Sequence, residues 1–332
     1  MRYVRLKDIA EKTGVSVNTV SRALKGKNDI GKETSRRIRR VAEELGYVPH
    51  AAAASLRSKV TKTIGVIVTF LDNPFYARIL KGVNDALAEY GYTAMTWENS
   101  ESIEKEGYIL KLLASYRVAG VLILPASNLE NDFNYDKLKT HHVTIVRKGT
   151  LNTQSYFVLN SLKSGQIVAN HFIQTGRKKP AFLGIDFPIS CSRDRLLGYK
   201  ERLEQEGLSL KDRNIRKCFP SLREAYSTMQ QWMKDKPDID SIFVNNDQLA
   251  FGVLRAFHDL GVTVPDDIAV VGHDDVEIAQ YFTPSLTTIR IPKYTMGFES
   301  AECLIKMIQH NDKEVNNQRV YEPELIVRES SR

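Results

Sequence analysis

The sequence that decides how the chain begins to fold occupies residues 14–24 and reads Gly14-Val15-Ser16-Val17-Asn18-Thr19-Val20-Ser21-Arg22-Ala23-Leu24. Gly14 ends an amphipathic stretch, residues 6–13, and supplies the backbone freedom that a tight turn needs. Ser16 then stands at a helix N-cap position, and apolar residues recur on one face of residues 17–24 until Gly26. Two short helices joined by such a turn predict a helix-turn-helix, whose second helix enters the major groove of DNA.

The polar face of this second helix carries side chains that suit DNA. Asn18 can pair bidentately with adenine and Arg22 with guanine, while Val17 can contact a thymine methyl group. If Arg22 is considered alone, a solvated surface charge is the favoured interpretation. Within the helix-turn-helix pattern, a base-reading role is favoured instead. Short hydroxyl groups suit phosphate oxygens, which position a helix without reading sequence, and these belong to Ser16, Thr19 and Ser21.

Residues 32–45 form a third amphipathic stretch that ends at Gly46 and completes a small helical core. An alanine-rich segment follows Pro49 and runs to about residue 60. Alanine favours helix, but so short a helix is marginal in water, so we expect this segment to order only when it is docked. Its large apolar residue, Leu56, is of the kind that is inserted between base steps from the minor groove.

Positive charge is concentrated in this first part of the chain. The net charge is +7, and residues 1–60 hold 14 Lys and Arg against 6 Asp and Glu, so they carry 14 − 6 = +8. The remaining 332 − 60 = 272 residues therefore carry 7 − 8 = −1. A basic module on a nearly neutral body favours nucleic acid, because phosphate contacts release counterions. A solvated basic helix face is the alternative, which charge alone does not exclude.

Other classes of protein are disfavoured by what the sequence lacks. The three cysteines are isolated, so neither a disulfide framework nor a metal clip is predicted. Apolar runs are shorter than the roughly 20 residues of a membrane span, and residues 1–20 lack the pattern of a signal peptide, so we expect a cytoplasmic protein rather than a transport binding protein. No G-x-G or G-x-S-x-G motif occurs, and we expect no enzyme activity, catalytic residue, metal or cofactor.

From residue 62 short apolar runs alternate with amphipathic stretches, which is typical of buried parallel strands between helices. The fold class is therefore α/β, with doubly wound parallel sheets behind an all-α N-terminal module. At this length we predict two such lobes. The runs are Ile64–Val68, Val121–Leu124, Val143–Val146, Ala181–Ile185, Ser241–Val244 and Ile268–Val271.

Polar residues follow these runs, at the strand ends where open α/β sheets bind ligands. Carboxylates and amides beside an aromatic ring suit a polyhydroxylated ring, because the aromatic covers its apolar face. Each residue taken singly is more simply a cap or turn residue, and their recurrence favours a binding cleft. The candidates are Asn73, Phe75, Ser127, Arg147, Phe219, Asn246, Asp247 and Asp274.

The chain closely resembles the LacI/GalR family of transcriptional regulators. The N-terminal match comprises residues 6–10, 14–24 and 45–49, and it continues with Ala53 and Leu56. Matching stretches further along are Asn73-Pro74-Phe75, Arg195-Leu196-Leu197-Gly198-Tyr199, Asn246-Asp247-Gln248-Leu249-Ala250-Phe251-Gly252, Pro265-Asp266-Asp267-Ile268, Gly272-His273-Asp274-Asp275 and Leu286-Thr287-Thr288-Ile289. The resemblance thus covers essentially the entire chain.

The resemblance implies that Val17, Asn18 and Arg22 read bases and that Leu56 is the minor-groove wedge. The further expected DNA contacts are Arg5, Lys7, Ser16, Thr19, Ser21, Thr34 and Ala53. It also implies a body similar to periplasmic sugar-binding proteins, with two lobes, three crossovers and an effector in the cleft. Arg195 and Asp274 fall on effector-contacting positions.

Arg147 departs from the family pattern, since relatives that bind neutral sugars have an acidic or amide residue there. This difference suggests an anionic effector held by Arg147 and Arg195, because guanidinium groups bind carboxylate or phosphate bidentately. The alternative is that Arg147 pairs with a nearby acid or points away from the cleft.

We therefore expect a DNA-binding domain over residues 1–48, a hinge helix over 49–60, and a two-lobed effector-binding and dimerisation domain over 61–332. The first lobe comprises about 61–160 plus 291–320, and the second about 161–290 plus the C-terminal end. A homodimer would bind a pseudo-palindromic operator and repress genes of sugar or carbohydrate metabolism under a small sugar-like effector. The alternative is control mainly by a phosphorylated corepressor protein.

Overall fold

The computed structural model describes residues 4–48, 61–126, 140–148, 155–311 and 317–332. The chain divides into two compact units, Met1–Thr61 and Lys62–Arg332. The predicted hinge helix, with Ala53 and Leu56, and the candidate Ser127 lie outside the described residues. Within the described part of the chain, no helix has both the length and the apolar character needed to cross a membrane.

The described residues of the first unit form three helices around one small core. They are α1 (Leu6–Thr13), α2 (Val17–Leu24) and α3 (Lys32–Glu44). Ile9, Val20 and Ile38 are fully buried where the helices meet. The predicted bounds of the first two helices are confirmed, and α3 ends one residue before the predicted end because Leu45 is its C-cap. Gly14 takes the left-handed conformation that the turn requires, at φ 66°.

The second unit is built on two six-stranded sheets, which confirms the predicted α/β class. The first sheet has the order β11-β5-β4-β3-β1-β2 and its strands are parallel. Its strands are β1 (Thr63–Val68), β2 (Thr93–Glu98), β3 (Gly120–Ile123), β4 (His141–Val146), β5 (Tyr156–Leu159) and β11 (Gln318–Tyr321).

The second sheet has the order β12-β10-β9-β8-β6-β7, and only the edge pairing of β12 with β10 is antiparallel. Its strands are β6 (Pro180–Ile185), β7 (Ile215–Cys218), β8 (Ser241–Val244), β9 (Ala269–Asp274), β10 (Thr287–Arg290) and β12 (Glu324–Ile326). In the described part of the chain there are three crossings between the sheets, after β5, after β10 and after β11.

Helices pack in pairs against these sheets. The first lobe has α4 (Pro74–Glu89), α5 (Ile103–Ser115) and α10 (Lys293–His310), and the second has α6 (Ser161–Gln174), α7 (Ser190–Gln205), α8 (Leu222–Lys234) and α9 (Asp247–Asp259). The pairs are α4 with α10, α6 with α7, and α8 with α9. Glycines at the crossings let the backbones approach closely, as Gly165 of α6 does against the carbonyl oxygen of Arg195 in α7.

Candidate DNA-reading helix and ligand cavity

The candidate DNA-reading surface is the solvent-facing side of α2. Val17, Asn18 and Arg22 are all exposed there, while Val20 and Ala23 of the same helix are fully buried. The burial of one face therefore fixes the helix and leaves the three predicted base-reading residues free to enter a groove.

The hydroxyl residues of α2 are partly engaged in holding the helix. Ser16 caps it, since its Oγ accepts a hydrogen bond from the backbone N–H of Thr19 at 3.1 Å. The hydroxyls of Ser16 and Thr19 also lie 2.9 Å apart. The predicted N-cap is thus confirmed, and a phosphate contact by either hydroxyl would share an oxygen that already has a structural partner.

Arg22 forms an ion pair with Asp29, whose side chain comes from the loop after α2. The two side chains are 47% and 49% exposed, so water screens the pair and it contributes only about 0 to 1 kcal/mol. Arg22 can therefore exchange Asp29 for a guanine edge at little cost.

The other predicted DNA contacts lie at the edges of this unit. Arg5 is the N-cap of α1, where its backbone N–H donates to the Asp8 carboxylate at 2.7 Å. Lys7 pairs with Glu11 across one exposed turn. Thr34 lines a surface recess of α3 together with Glu33, Arg36, Arg37 and Arg40.

The candidate ligand site of the second unit is a cavity between the carboxyl ends of the two sheets, which we call the strand-end cavity. Its volume is about 40 Å³, and an outer cavity of about 420 Å³ shares Val146, Arg147 and Cys191 with it. Small-molecule sites usually measure about 300 to 1,000 Å³, so a ligand in the strand-end cavity requires its walls to move apart. The lining residues are Phe70, Asn73, Phe75, Tyr76, Glu101, Val146, Arg147, Ile185, Ile189, Cys191, Arg195, Pro220, Asn245, Asn246 and Asp274.

Six of the candidate residues lie together on this lining: Asn73, Phe75, Arg147, Arg195, Asn246 and Asp274. Asn73 and Asn246 use their Oδ1 atoms to cap α4 and α9, each accepting a backbone N–H at 2.9 Å. Their position in the cavity thus follows from their position at a helix start, where the chain leaves a strand end.

Two candidate residues do not line the strand-end cavity. Asp247 is fully buried in the first turn of α9, where its two oxygens accept from the Val276 N–H at 2.9 Å and from the Thr288 hydroxyl at 2.6 Å. Phe219 is half exposed and packs edge-on against Phe70, with ring centroids 5.9 Å apart. Asp247 therefore stabilises the turn that follows β9, and Phe219 packs against Phe70, which itself lines the cavity.

Arg147 faces the cavity, but its charge is already compensated. Its Nη1 and Nη2 donate to the two carboxylate oxygens of Glu101 at 2.9 and 2.6 Å, and both side chains are buried. Burial lowers the pKa of Arg147, but the Glu101 carboxylate more than offsets this and raises the pKa above its ordinary value. Arg147 therefore has the nearby acidic partner that was the alternative expectation, and the binding of an anion by Arg147 and Arg195 together stays a prediction.

The opposite wall carries Arg195 and Asp274. Arg195 Nη1 donates to the Asn245 carbonyl oxygen at 2.6 Å, and the Asp274 carboxylate lies 3.0 Å from His273 Nδ1. Burial raises the pKa of Asp274 and lowers the pKa of His273, which keeps the imidazole neutral. Asp274 also has an unusual backbone, at φ 124°, which aims the turn after β9.

Three buried polar atoms of lining residues have no hydrogen-bond partner among the described residues. They are Nε of Arg147, Nε of Arg195 and Oδ1 of Asn245. Buried polar groups are normally paired, so these atoms offer two donors and one acceptor to a polar ligand. Glu101 was missed by the sequence analysis, because it follows β2, a half-buried strand that is not one of the apolar runs.

Comparisons with known proteins agree with this arrangement. The family described as "Bacterial regulatory proteins, lacI family" matches residues 5–50, and a "Periplasmic binding protein-like domain" matches residues 169–331. A "HTH-type transcriptional repressor PurR" of Photobacterium profundum is 32% identical over 333 residues, covering 98% of both chains.

A "Ribose operon repressor" of Halalkalibacterium halodurans is 31% identical and covers 98% of this chain and 97% of its own. Among solved structures, a transcriptional regulator CelR-cellobiose complex superposes with a TM-score of 0.74 at 28% identity, covering 98% of this chain and 99% of that one. With relatives at this identity over nearly the whole length, and with both parts of the chain matched, the protein belongs to the LacI family of bacterial transcriptional regulators.

Proposed function

We propose that this regulator represses genes of carbohydrate metabolism, binds a pseudo-palindromic operator as a homodimer, and is controlled by a sugar-like effector in the strand-end cavity. The observation that carries the effector proposal is the set of unpartnered buried atoms on Arg147, Arg195 and Asn245. A ligand that pairs with these atoms offsets the cost of burying them without hydrogen-bond partners.

A sugar suits this lining because it presents hydroxyls around its edge and C–H groups on its faces. Hydroxyls both donate and accept, so they can satisfy two guanidinium donors and one amide acceptor together. Phe70 and Phe75 supply apolar surface for a ring face. The relatives named for ribose and cellobiose support the same class.

A purine is the second candidate, and the full-length likeness to PurR favours it. Its flat ring would stack on an aromatic residue, and its edge nitrogens and oxygens would pair with the same donors and acceptor. Ligand screening separates the two classes.

Control of DNA binding follows from the way the cavity is built. Its walls come from both lobes, with Glu101 and Arg147 on the first and Arg195 and Asp274 on the second. A ligand that prefers one spacing of these walls shifts the lobes toward that spacing by its differential affinity. Two chains held in register would present two α2 helices to two half-sites, so a change in spacing changes operator affinity.

The DNA half of the proposal is tested by selecting duplexes from a randomised library with the purified full chain. We expect a pseudo-palindromic sequence to be enriched. Arg22→Ala should lose about 5- to 150-fold of discrimination at one position of each half-site. Lys25→Ala removes a neighbouring exposed cation and should weaken all duplexes alike. Failure of the wild-type protein to enrich any sequence at low salt would refute operator binding.

The effector half is tested by thermal unfolding with cellobiose, ribose and hypoxanthine. A sugar effector should raise the melting temperature of the wild-type protein, and Arg195→Met should abolish that increase. Stabilisation by hypoxanthine alone would overturn the sugar assignment and favour the purine.

A further inference from the structure

We propose that Glu101 determines the charge class of the effector: by pairing with Arg147 it closes the strand-end cavity to anions and reserves it for uncharged ligands. The inference rests on the proposed function, because it assumes that this cavity holds the effector.

The contact between Glu101 and Arg147 is bidentate and buried. Both terminal nitrogens of Arg147 donate to Glu101, at 2.9 and 2.6 Å, and the two side chains are only 3% and 4% exposed. A bidentate pair removed from water is held in one geometry, unlike an exposed pair that exchanges freely with solvent.

The backbone that presents Glu101 has an uncommon conformation. Ser100 and Glu101 both adopt left-handed conformations, at φ 53° and 57°, although neither is glycine. Asn99, which is fully buried, fixes this turn by accepting the Glu101 N–H on its Oδ1 at 3.1 Å and by donating to Glu106 at 2.8 Å. A strained backbone conformation that several hydrogen bonds stabilise is typical of functional sites.

The charges on the lining also disfavour an anion at Arg147. Burial raises the pKa of Asp274, which favours its neutral form, so the ionised groups of the lining are Glu101, Arg147 and Arg195, and Glu101 compensates the guanidinium group that it contacts. A phosphate or carboxylate at Arg147 would stand beside the like charge of Glu101 in a poorly screened site. A hydroxyl oxygen can accept from the unpartnered Nε of Arg147 without that repulsion.

The test uses inorganic phosphate as the probe, because it needs no knowledge of the effector. Thermal unfolding of the full chain is compared in chloride and in 20 mM phosphate at equal ionic strength. Wild type should show no specific increase with phosphate. Glu101→Gln leaves Arg147 uncompensated, so it should melt lower in chloride and gain at least about 3 °C in phosphate, saturably.

Two controls separate a cavity effect from a general salt effect. The double variant Glu101→Gln/Arg147→Met removes both charges and should not respond to phosphate. Glu104→Gln removes an exposed carboxylate nearby and should behave as wild type. Should Glu101→Gln fail to fold, Glu101→Asp takes its place, because a side chain one methylene shorter loosens the pair and should create the same phosphate response.

The proposal is overturned if phosphate stabilises wild type as strongly as the Glu101 variant, or if the folded Glu101 variant does not respond. Its failure is distinguishable from failure of the proposed function. If the Glu101 variant does not respond to phosphate while wild type still selects an operator sequence, only the role of Glu101 is refuted. If wild type selects no operator sequence, the phosphate result still stands.

Discussion

The closest helix crossing of the second lobe makes a sharp prediction at Gly165. A methyl group added there by Gly165→Ala would lie 2.1 Å from the carbonyl oxygen of Arg195 and 2.6 Å from the backbone nitrogen of Tyr199. Both are backbone atoms of α7, so rotation of a side chain cannot relieve the contact. The two helices must separate.

The magnitude follows from the contact distance. Carbon and oxygen approach to about 3.3 Å, so α7 must move by about 3.3 − 2.1 = 1.2 Å. Overpacking of this kind costs about 1 to 3 kcal/mol, and the upper end applies to a backbone contact. Alanine regains about 1 kcal/mol of helix propensity, which leaves a net loss of about 2 kcal/mol. The same movement would strain the 2.6 Å hydrogen bond from Arg195 to Asn245 and displace a cavity residue.

The assay is urea unfolding followed by tryptophan fluorescence, with Trp232 of α8 as a buried reporter in the same lobe. Lys163→Ala is the matched control, because it changes an exposed position of the same helix and should stay within about 0.5 kcal/mol of wild type. Equal stability of Gly165→Ala and Lys163→Ala would refute the reasoning, since the close crossing would then carry no cost.

Three further predictions concern other parts of the molecule. Burial raises the pKa of Asp274, so the wild-type protein loses stability as the pH rises above the pKa of this group in the unfolded chain. The unfolding free energy of Asp274→Asn in urea, relative to wild type, should therefore increase from pH 5 to pH 8.5. A difference between the two proteins that does not change with pH would contradict this. Lys293, at the start of α10, donates a hydrogen bond to the carbonyl oxygen of Asp274. Lys293→Met should therefore speed hydrogen exchange at the Val276 amide, while Lys306→Met, at an exposed position of the same helix, should not. Equal exchange rates in the two variants would count against the contact. Ser16→Ala should lower the unfolding free energy of the N-terminal unit by about 1 kcal/mol through loss of its cap, measured by hydrogen exchange in α2, and unchanged exchange would show that the cap is dispensable.

The N-terminal unit was largely predictable because its signals are local. A cap at Ser16, glycine at position 14 and apolar residues at helical spacing act within a few residues, and the helix bounds follow from them. Six strands of the second unit, β1, β3, β4, β6, β8 and β9, were predicted for a similar reason, since a strand covered on both faces is a continuous apolar run, whereas the buried strand β5 was not predicted. The edge strand β2 has a mixed pattern with half-buried residues and was not predicted.

The cavity was predictable in outline, because strand ends can be read from the sequence, but the use of each side chain there could not. Arg147 and Glu101 are 46 residues apart, so only the fold reveals that the acid compensates the arginine. Asp247 follows strand β8, yet the first turn of α9 directs its carboxylate to Thr288 on β10, which lies two strands away in the sheet. The position of a residue in the sequence predicts at which edge of the sheet it lies, but not the direction in which its side chain points.

The late return of the chain to the first sheet has a consequence for synthesis. Five strands of that sheet are complete at Leu159, but β11, which covers the edge of β5, is complete only at Tyr321, 321 − 159 = 162 residues later. At about 5 to 20 residues per second, a ribosome needs roughly 8 to 32 s to make that interval. During this time the edge of Tyr156–Leu159 is unpaired and apolar, and such an edge can pair with strands of other chains. We therefore expect the yield of folded protein to depend on chaperones that bind the nascent chain during this interval.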